Sequence, residues 1–285
     1  MSFNQYKEAG DGFYIGAKLV SEYMGKSYHS LLKHIINPSD RDEILLGMYI
    51  RAMAWMSTIA ILNKPEYFQS IVAGNRALLE ILVDMCLLSY DKTDSSITKM
   101  DWWEKSAKYK AAETLVNFYQ SIGKAVPDEY QSELDFVIKN KKEVDTKRLQ
   151  LWPNKKNKPR HPQNRWTGQP NLFEDIKKVD KLYGALIREE LGMSLTEFYR
   201  TEYNRINWMI HGSTLTGIKD FSTESFHCLC ALSYKLCSDL AMLCVKIIYL
   251  DYDFITHYPD SKKDWEVLKS KRILSFGKAC GWVDT

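Results

Sequence analysis

Apolar residues recur along most of this chain at three- and four-residue intervals, the period of an α-helix that buries one face. Runs that alternate apolar and polar residues, the mark of a half-buried strand, are nearly absent. The pattern predicts an all-α protein. Residues 16–36 alternate apolar and polar turns until Asn37 and Pro38, where proline cannot donate the next helical hydrogen bond. A second helix is expected from Ser39 or Asp40 to Leu62, with Glu43 in the capping position, and a third from Pro65 to about Tyr90. These three read as the start of a bundle core.

After a polar linker at 91–96, Thr98 with Asp101 is expected to cap a fourth helix to about Ile122. Residues 123–127 turn the chain into a fifth, increasingly basic helix from Asp128 to about Leu149. Both carry more charge and fewer apolar positions than the first three, as an arm projecting from a bundle would. Residues 151–170 hold Pro153, Pro159, Pro162 and Pro170, which excludes helix or central strand and leaves a long loop. Helices resume at Asn171 to Leu191, after Ser194, and from Ser222 or Thr223 to Leu250. A tail bearing Trp265 and Trp282 is expected to pack back as a short helix and coil. The organisation expected is one helical domain: a core of about 16–90 and 171–250, a helical insertion and basic loop at about 98–170, and a C-terminal tail from 251.

Composition narrows the picture. With 285 residues and 45% apolar content the chain buries a large core and is not disordered. Its N-terminal residues contain neither a basic run nor an apolar stretch of the secretory kind, so a cytoplasmic location is expected. Two apolar segments, 44–62 and 226–250, approach the length of a membrane span. Arg51 interrupts the first, and Lys235, Asp239 and Lys246 interrupt the second, so both are read as buried helices. Cys230, Cys237 and Cys244 repeat every seven residues on one apolar face and read as small core residues; with no Cys-x2-Cys pair, no metal is expected. The formal net charge is only +3, but ten Lys or Arg between Lys139 and Arg165 face just Glu143 and Asp145, a local balance of +8. Lys155, Lys156, Lys158, Arg160 and Arg165, interleaved with Trp152 and Trp166, are the candidate RNA-binding residues, because cations neutralise phosphates and aromatic faces stack unpaired bases.

Two stripes carry the candidate chemistry. Ser194 with Glu197 forms a capping box, and the helix it opens is expected to run to Gly212. On it Tyr199, Tyr203, Asn207 and His211 recur every fourth residue and share one face. On the third helix Arg76, Glu80 and Asp84 recur every fourth residue among apolar neighbours, so that stripe is expected to meet specific partners, either each other or the tyrosine stripe across the bundle. A histidine near neutral pH accepts a proton from a ribose 2′-hydroxyl, and an arginine stabilises the charge that grows on the phosphate, with no metal or cofactor required. His211 and Arg205 are the catalytic candidates, with Arg76, Glu80, Tyr203 and Asn207 supporting them. Six residues of regular helix leave Arg205 and His211 about 120° apart, so they converge only past the helix end or across a dimer.

An Arg-x4-6-His pair near the end of a late helix, here Arg205 and His211, resembles the signature of the HEPN superfamily. More closely, the chain resembles a bacterial family of HEPN-like helical proteins that carries Arg-x3-Glu, here Arg76 and Glu80, then Trp-Ser/Thr-Gly, here Trp166, Thr167 and Gly168. The same family carries Tyr-x3-Ser-x3-His-Gly, here Tyr203, Asn207, His211 and Gly212. The resemblance implies a compact helical bundle, a homodimer, and metal-independent ribonuclease activity of toxin or phage-defence type. The alternative is a non-catalytic module binding nucleotide, RNA or a protein through the same cleft, which Ile206 directly after Arg205 and the separation of Arg205 from His211 favour.

Overall fold

The chain is as helical as its period requires. The computed structural model describes residues 3–62, 64, 67–153, 165–205, 223–253 and 263–271, and contains no strand among them. Its helices are α1 (Phe3–His34), α2 (Asp40–Ile59), α3 (Phe68–Tyr90), α4 (Asp94–Ser121), α5 (Gln131–Leu151), α6 (Leu172–Leu191), α7 (Leu195–Phe198), α8 (Thr223–Asp251) and α9 (263–271). They divide between two compact units, 1–90 with 176–285, and 91–175. Among the described residues no helix is long and apolar enough to cross a membrane.

In the first unit α8 packs against α1, α2 and α3, and α2 packs against both α1 and α3. A helix wrapped on this many sides has to be apolar nearly all round. Cys230, Leu236, Cys237, Leu240, Leu243, Cys244 and Ile248 of α8 are accordingly buried, and burial pushes the Cys237 thiol well above its usual pKa. Helices α2 and α3 approach closely at Gly74, where a Cβ would stand 2.6 Å from Ile59 Cδ1. A chain reversal between α1 and α2 uses Asn37 at φ 59°, a left-handed conformation that asparagine tolerates.

Polar ties close the ends of this unit. Arg41 at the start of α2 donates to both carboxylate oxygens of Asp251 at 2.7 and 2.8 Å, and also to the carbonyls of Leu88 and Ser89. Ser89 Oγ donates to the same carboxylate at 2.8 Å, so one ion pair joins the start of α2 to the ends of α3 and α8. Burial opposes the guanidinium charge, but the bonds to Asp251 more than offset it and the Arg41 pKa is raised. On α6, Glu190 accepts from Lys246 of α8 and lies 2.8 Å from Lys269 of α9. The C-terminal tail packs back as expected at Trp265 of α9, which meets Tyr23 edge-on and Tyr249 at a tilt; the hydroxyls of those two tyrosines are 2.7 Å apart. Trp282 lies outside the described residues.

The second unit is an antiparallel hairpin of α4 and α5, joined through a 3-10 turn at Asp128–Tyr130. Arg148 is buried inside it, donating to Ser106 Oγ at 3.2 Å and the Ser106 carbonyl at 3.0 Å, with its guanidinium 5.3 Å from the Tyr109 ring centre. At the end of α5, Trp152 Nε1 donates to the Trp166 carbonyl at 3.1 Å, and Arg165 Nε donates to buried Asp175 at 2.8 Å. Gly168 closes this turn at φ 85°, and a Cβ there would lie 3.0 Å from Trp152 Cδ1.

Several helix boundaries differ from the sequence expectation. α1 begins at Phe3, not at 16. The box at the start of α2 pairs Ser39 with Asp42 and not Glu43, because the third helical residue is the one whose carboxylate reaches back to the cap. α3 is helical from Phe68; Pro65 lies outside the described residues. α4 starts at Asp94, ahead of Thr98, because Asp91 organises the entry by accepting from the Thr93 amide, the Thr93 hydroxyl and the Ser96 hydroxyl. At α6, by contrast, Asn171 Oδ1 accepts from the Glu174 amide as an N-cap should.

Candidate functional site

Ser194 opens α7 as read from the sequence, its hydroxyl accepting from the Glu197 amide at 3.1 Å. The stronger cap comes from elsewhere. Asp180 of α6 accepts from the Leu195 amide at 2.8 Å with one oxygen and from the Thr196 amide at 2.7 Å with the other. A carboxylate that satisfies two otherwise unpaired amides at a helix start also complements the positive end of the dipole. Asp180 thus fixes the direction in which the functional helix leaves α6. Fifteen positions separate Asp180 from Leu195, and no local sequence pattern announces the contact.

The helix is not regular beyond α7. Tyr199–Tyr203 forms a π turn, closed by the Asn204 amide bonding the Tyr199 carbonyl. One extra residue in the turn sets back everything after it by about 100° relative to an unbroken α-helix, so the expected straight stripe is bent at this point. Within the turn the Tyr199 and Tyr203 rings stack with centroids 4.7 Å apart and planes 18° apart. Tyr203 is buried and Tyr199 is half-exposed. Arg205 follows, and its Nη2 donates to Glu202 Oε2 at 2.9 Å. Asn207, His211 and Gly212 lie outside the described residues.

On α3, Arg76 Nε donates to Glu80 Oε1 at 3.0 Å. The side chains are 46% and 39% exposed, so the stripe expected to be buried instead reaches the surface from a helix that is otherwise core. Asp84, one turn further on, is half-buried. The bond to Glu80 raises the Arg76 pKa first of all, and the phenols of Tyr203 and Tyr199 raise it further. Arg76 therefore senses both tyrosines of the π turn. The two stripes singled out in the sequence meet at this guanidinium, which keeps a permanent positive charge beside aromatic rings at the surface.

Of the proposed RNA contacts, Lys155, Lys156, Lys158 and Arg160 lie outside the described residues. Arg165 and Trp166 do not serve as exposed contacts: both are buried, Arg165 by its ion pair with Asp175 and Trp166 in the turn that Trp152 and Gly168 close. Burial follows from pairing, since an arginine leaves water only where a carboxylate receives it. Among the described residues no group of three His, Cys, Asp or Glu is placed to hold a metal.

Residues 42–227 match the model of a family of unknown function, DUF5677. The chain belongs to that family. No curated protein and no solved structure matches it. The part of the chain that defines DUF5677 runs from the first turn of α2 into α8, and so takes in Arg76, Glu80, Tyr199, Tyr203, Arg205, Asn207 and His211 together with the whole hairpin unit. In DUF5677 terms the candidate site and the hairpin are both parts of the family's own architecture, whereas α1, the rest of α8 and α9 flank it.

Proposed function

We propose that the protein is a metal-independent endoribonuclease of toxin or phage-defence type, acting on RNA in the cytoplasm as a homodimer. The observation that carries this reading is the meeting of the Arg76–Glu80 pair with the stacked Tyr199 and Tyr203 on the helix that leads to Arg205 and His211. A fixed cation and an aromatic stack beside one another suit a nucleotide, whose phosphate and base ask for those two groups. In the reaction His211 takes the 2′-hydroxyl proton, the 2′-oxygen attacks the adjacent phosphorus, and the 5′-oxygen of the next nucleotide leaves with a proton. Arg205 offsets the charge growing on the phosphate. Glu80 holds Arg76 in place, and Tyr203 with Asn207 orders the helix face. The lysines at 155, 156 and 158 and Arg160 lengthen the grip on the strand.

Arg205 is engaged with Glu202, and this favours a second reading, a module that binds nucleotide, RNA or a protein without cleaving it. An exposed pair of this kind contributes only about 0.2–1 kcal/mol, so a phosphate displaces Glu202 at small cost. The test is the product. Digestion of a labelled RNA in EDTA yields fragments ending in a 2′,3′-cyclic phosphate if the 2′-hydroxyl is the nucleophile. Fragments that end otherwise, or cleavage abolished by chelation, contradict the nuclease reading; tight binding without fragments supports the second.

A further inference from the structure

The hairpin unit exposes an apolar face that neither of its helices covers. Ala111, Leu115, Phe118 and Ile122 fall at i, i+4, i+7 and i+11 along α4 and its C-cap and therefore line one side of it. Phe118 is 56% exposed and Ile122 46% exposed. Beside them lies an open groove of about 490 Å³ floored by Ala111, Ala112, Leu115 and Phe136, with Lys108 and Glu133 at its edges. Bare rings and branched side chains in a row are costly in water and mark a surface that meets something.

The ends of the groove indicate what that is. Tyr109 contacts Phe136, and Tyr119 contacts Tyr130, which fixes the pairing of the two antiparallel helices. Glu133 consequently lies nearer the turn, with Glu129 and Asp128 beyond it, and Lys108 lies nearer the open end of the hairpin. The face is thus apolar in the middle, basic at one end and acidic at the other. A two-fold axis through Leu115 inverts it onto itself. Phe118, three residues beyond Leu115, then meets the alanines at 111 and 112 of the second copy, a large side chain over small ones, while Lys108 approaches the acidic end around Glu133 of the partner subunit. Self-complementarity of this kind is the requirement for an isologous interface. Among the described residues Lys108 and Glu133 are held by local bonds, to Glu104 at 3.1 Å and from Ser132 at 2.7 Å, which exchange readily for intermolecular ones.

We propose that the α4 face of the hairpin is a homodimer interface, occupied by the same face of a second copy in antiparallel orientation. It gives the dimer of the proposed nuclease a surface, and it lies in a different unit from α7, so its failure leaves the assignment of the reaction standing.

The experiment is sedimentation velocity on the full chain across a range of concentrations, with the parent, Phe118→Asp, Lys108→Glu, Glu133→Lys and the double reversal Lys108→Glu with Glu133→Lys. Circular dichroism checks that each variant keeps its helix content, as substitution at exposed positions should. The expected result is a concentration-dependent dimer in the parent. Phe118→Asp weakens it by at least roughly tenfold, as removal of a central aromatic anchor does; each single reversal weakens it, and the double reversal restores it. A parent that stays monomeric, or a dimer unchanged in Phe118→Asp, overturns the proposal, as does a double reversal no better than either single one.

Discussion

Arg76 and Glu80 form a one-point ion pair, Nε to Oε1 at 3.0 Å, on the surface of a helix whose other positions are almost all core. Nothing about that pairing uses the rest of the guanidinium fork, and the aromatic groups acting on it are the two stacked tyrosines of the π turn. For a purely structural role an exposed i, i+4 pair contributes about 0.5 kcal/mol or less. Arg76→Ala is therefore expected to leave the thermal midpoint nearly unchanged while reducing RNA binding or cleavage roughly tenfold, the loss of one charge-assisted contact. Arg76→Lys restores little, because a point charge lacks the planar fork. Equal RNA affinity in the parent and both variants would remove Arg76 from the site.

The Arg41–Asp251 pair is expected to behave in the opposite way. Asp251 is 2% exposed and accepts from Arg41 twice and from Ser89 once. Asp251→Ala strands a largely buried guanidinium, at a cost of about 3–5 kcal/mol, and should be evident as a lower midpoint in urea denaturation. A shift below about 1 kcal/mol would show that the tie between α2, α3 and α8 is dispensable.

Glu190 sets an acid limb. Burial alone would raise its pKa, but hydrogen bonds and charge from Lys246 and Lys269 lower it overall from the ordinary 4.5. A group whose folded pKa is depressed adds stability that is fully present above the unfolded value and is lost as pH falls through the folded one. Glu190→Gln should thus be less stable than the parent at pH 7 by about 1–3 kcal/mol, with the gap closing below about pH 4.5. Denaturation curves at a series of pH values measure it; a gap that persists unchanged into acid contradicts the assignment.

Gly168 is expected to resist any side chain. Its φ of 85° disfavours L-residues, and an added Cβ meets Trp152 Cδ1 at 3.0 Å. Gly168→Ala should destabilise by about 1–3 kcal/mol and disturb the environment of Trp152, which tryptophan fluorescence reports. An unaltered spectrum and midpoint would mean that the turn is softer than its geometry requires.

The helical nature of the chain and many helix ends were legible because period and capping are local: Ser39, Asn171 and Ser194 cap where their positions suggest. The heptad of Cys230, Cys237 and Cys244 led correctly to a buried face of α8. Less of the site was legible. Arg76, Glu80, Tyr199 and Tyr203 could be picked out by their four-residue spacing, and the structure brings their two helices together at Arg76. The π turn could not be read, since it depends on how α7 is held, and Asp180 holds it from a distant helix. Arg165 and Trp166 misled for a related reason: within a basic, aromatic stretch, composition suggests a solvated nucleic-acid surface, and only the fold reveals Asp175 waiting for one and the Trp152 indole for the other.

The account turns on His211, and the most direct test compares the parent with His211→Ala on end-labelled RNA in EDTA, with both proteins checked for equal helix content. The nuclease reading predicts fragments from the parent, ending in a cyclic phosphate, and none above background from the variant. Fragments of equal yield from both, or from neither while both bind RNA equally, contradict it.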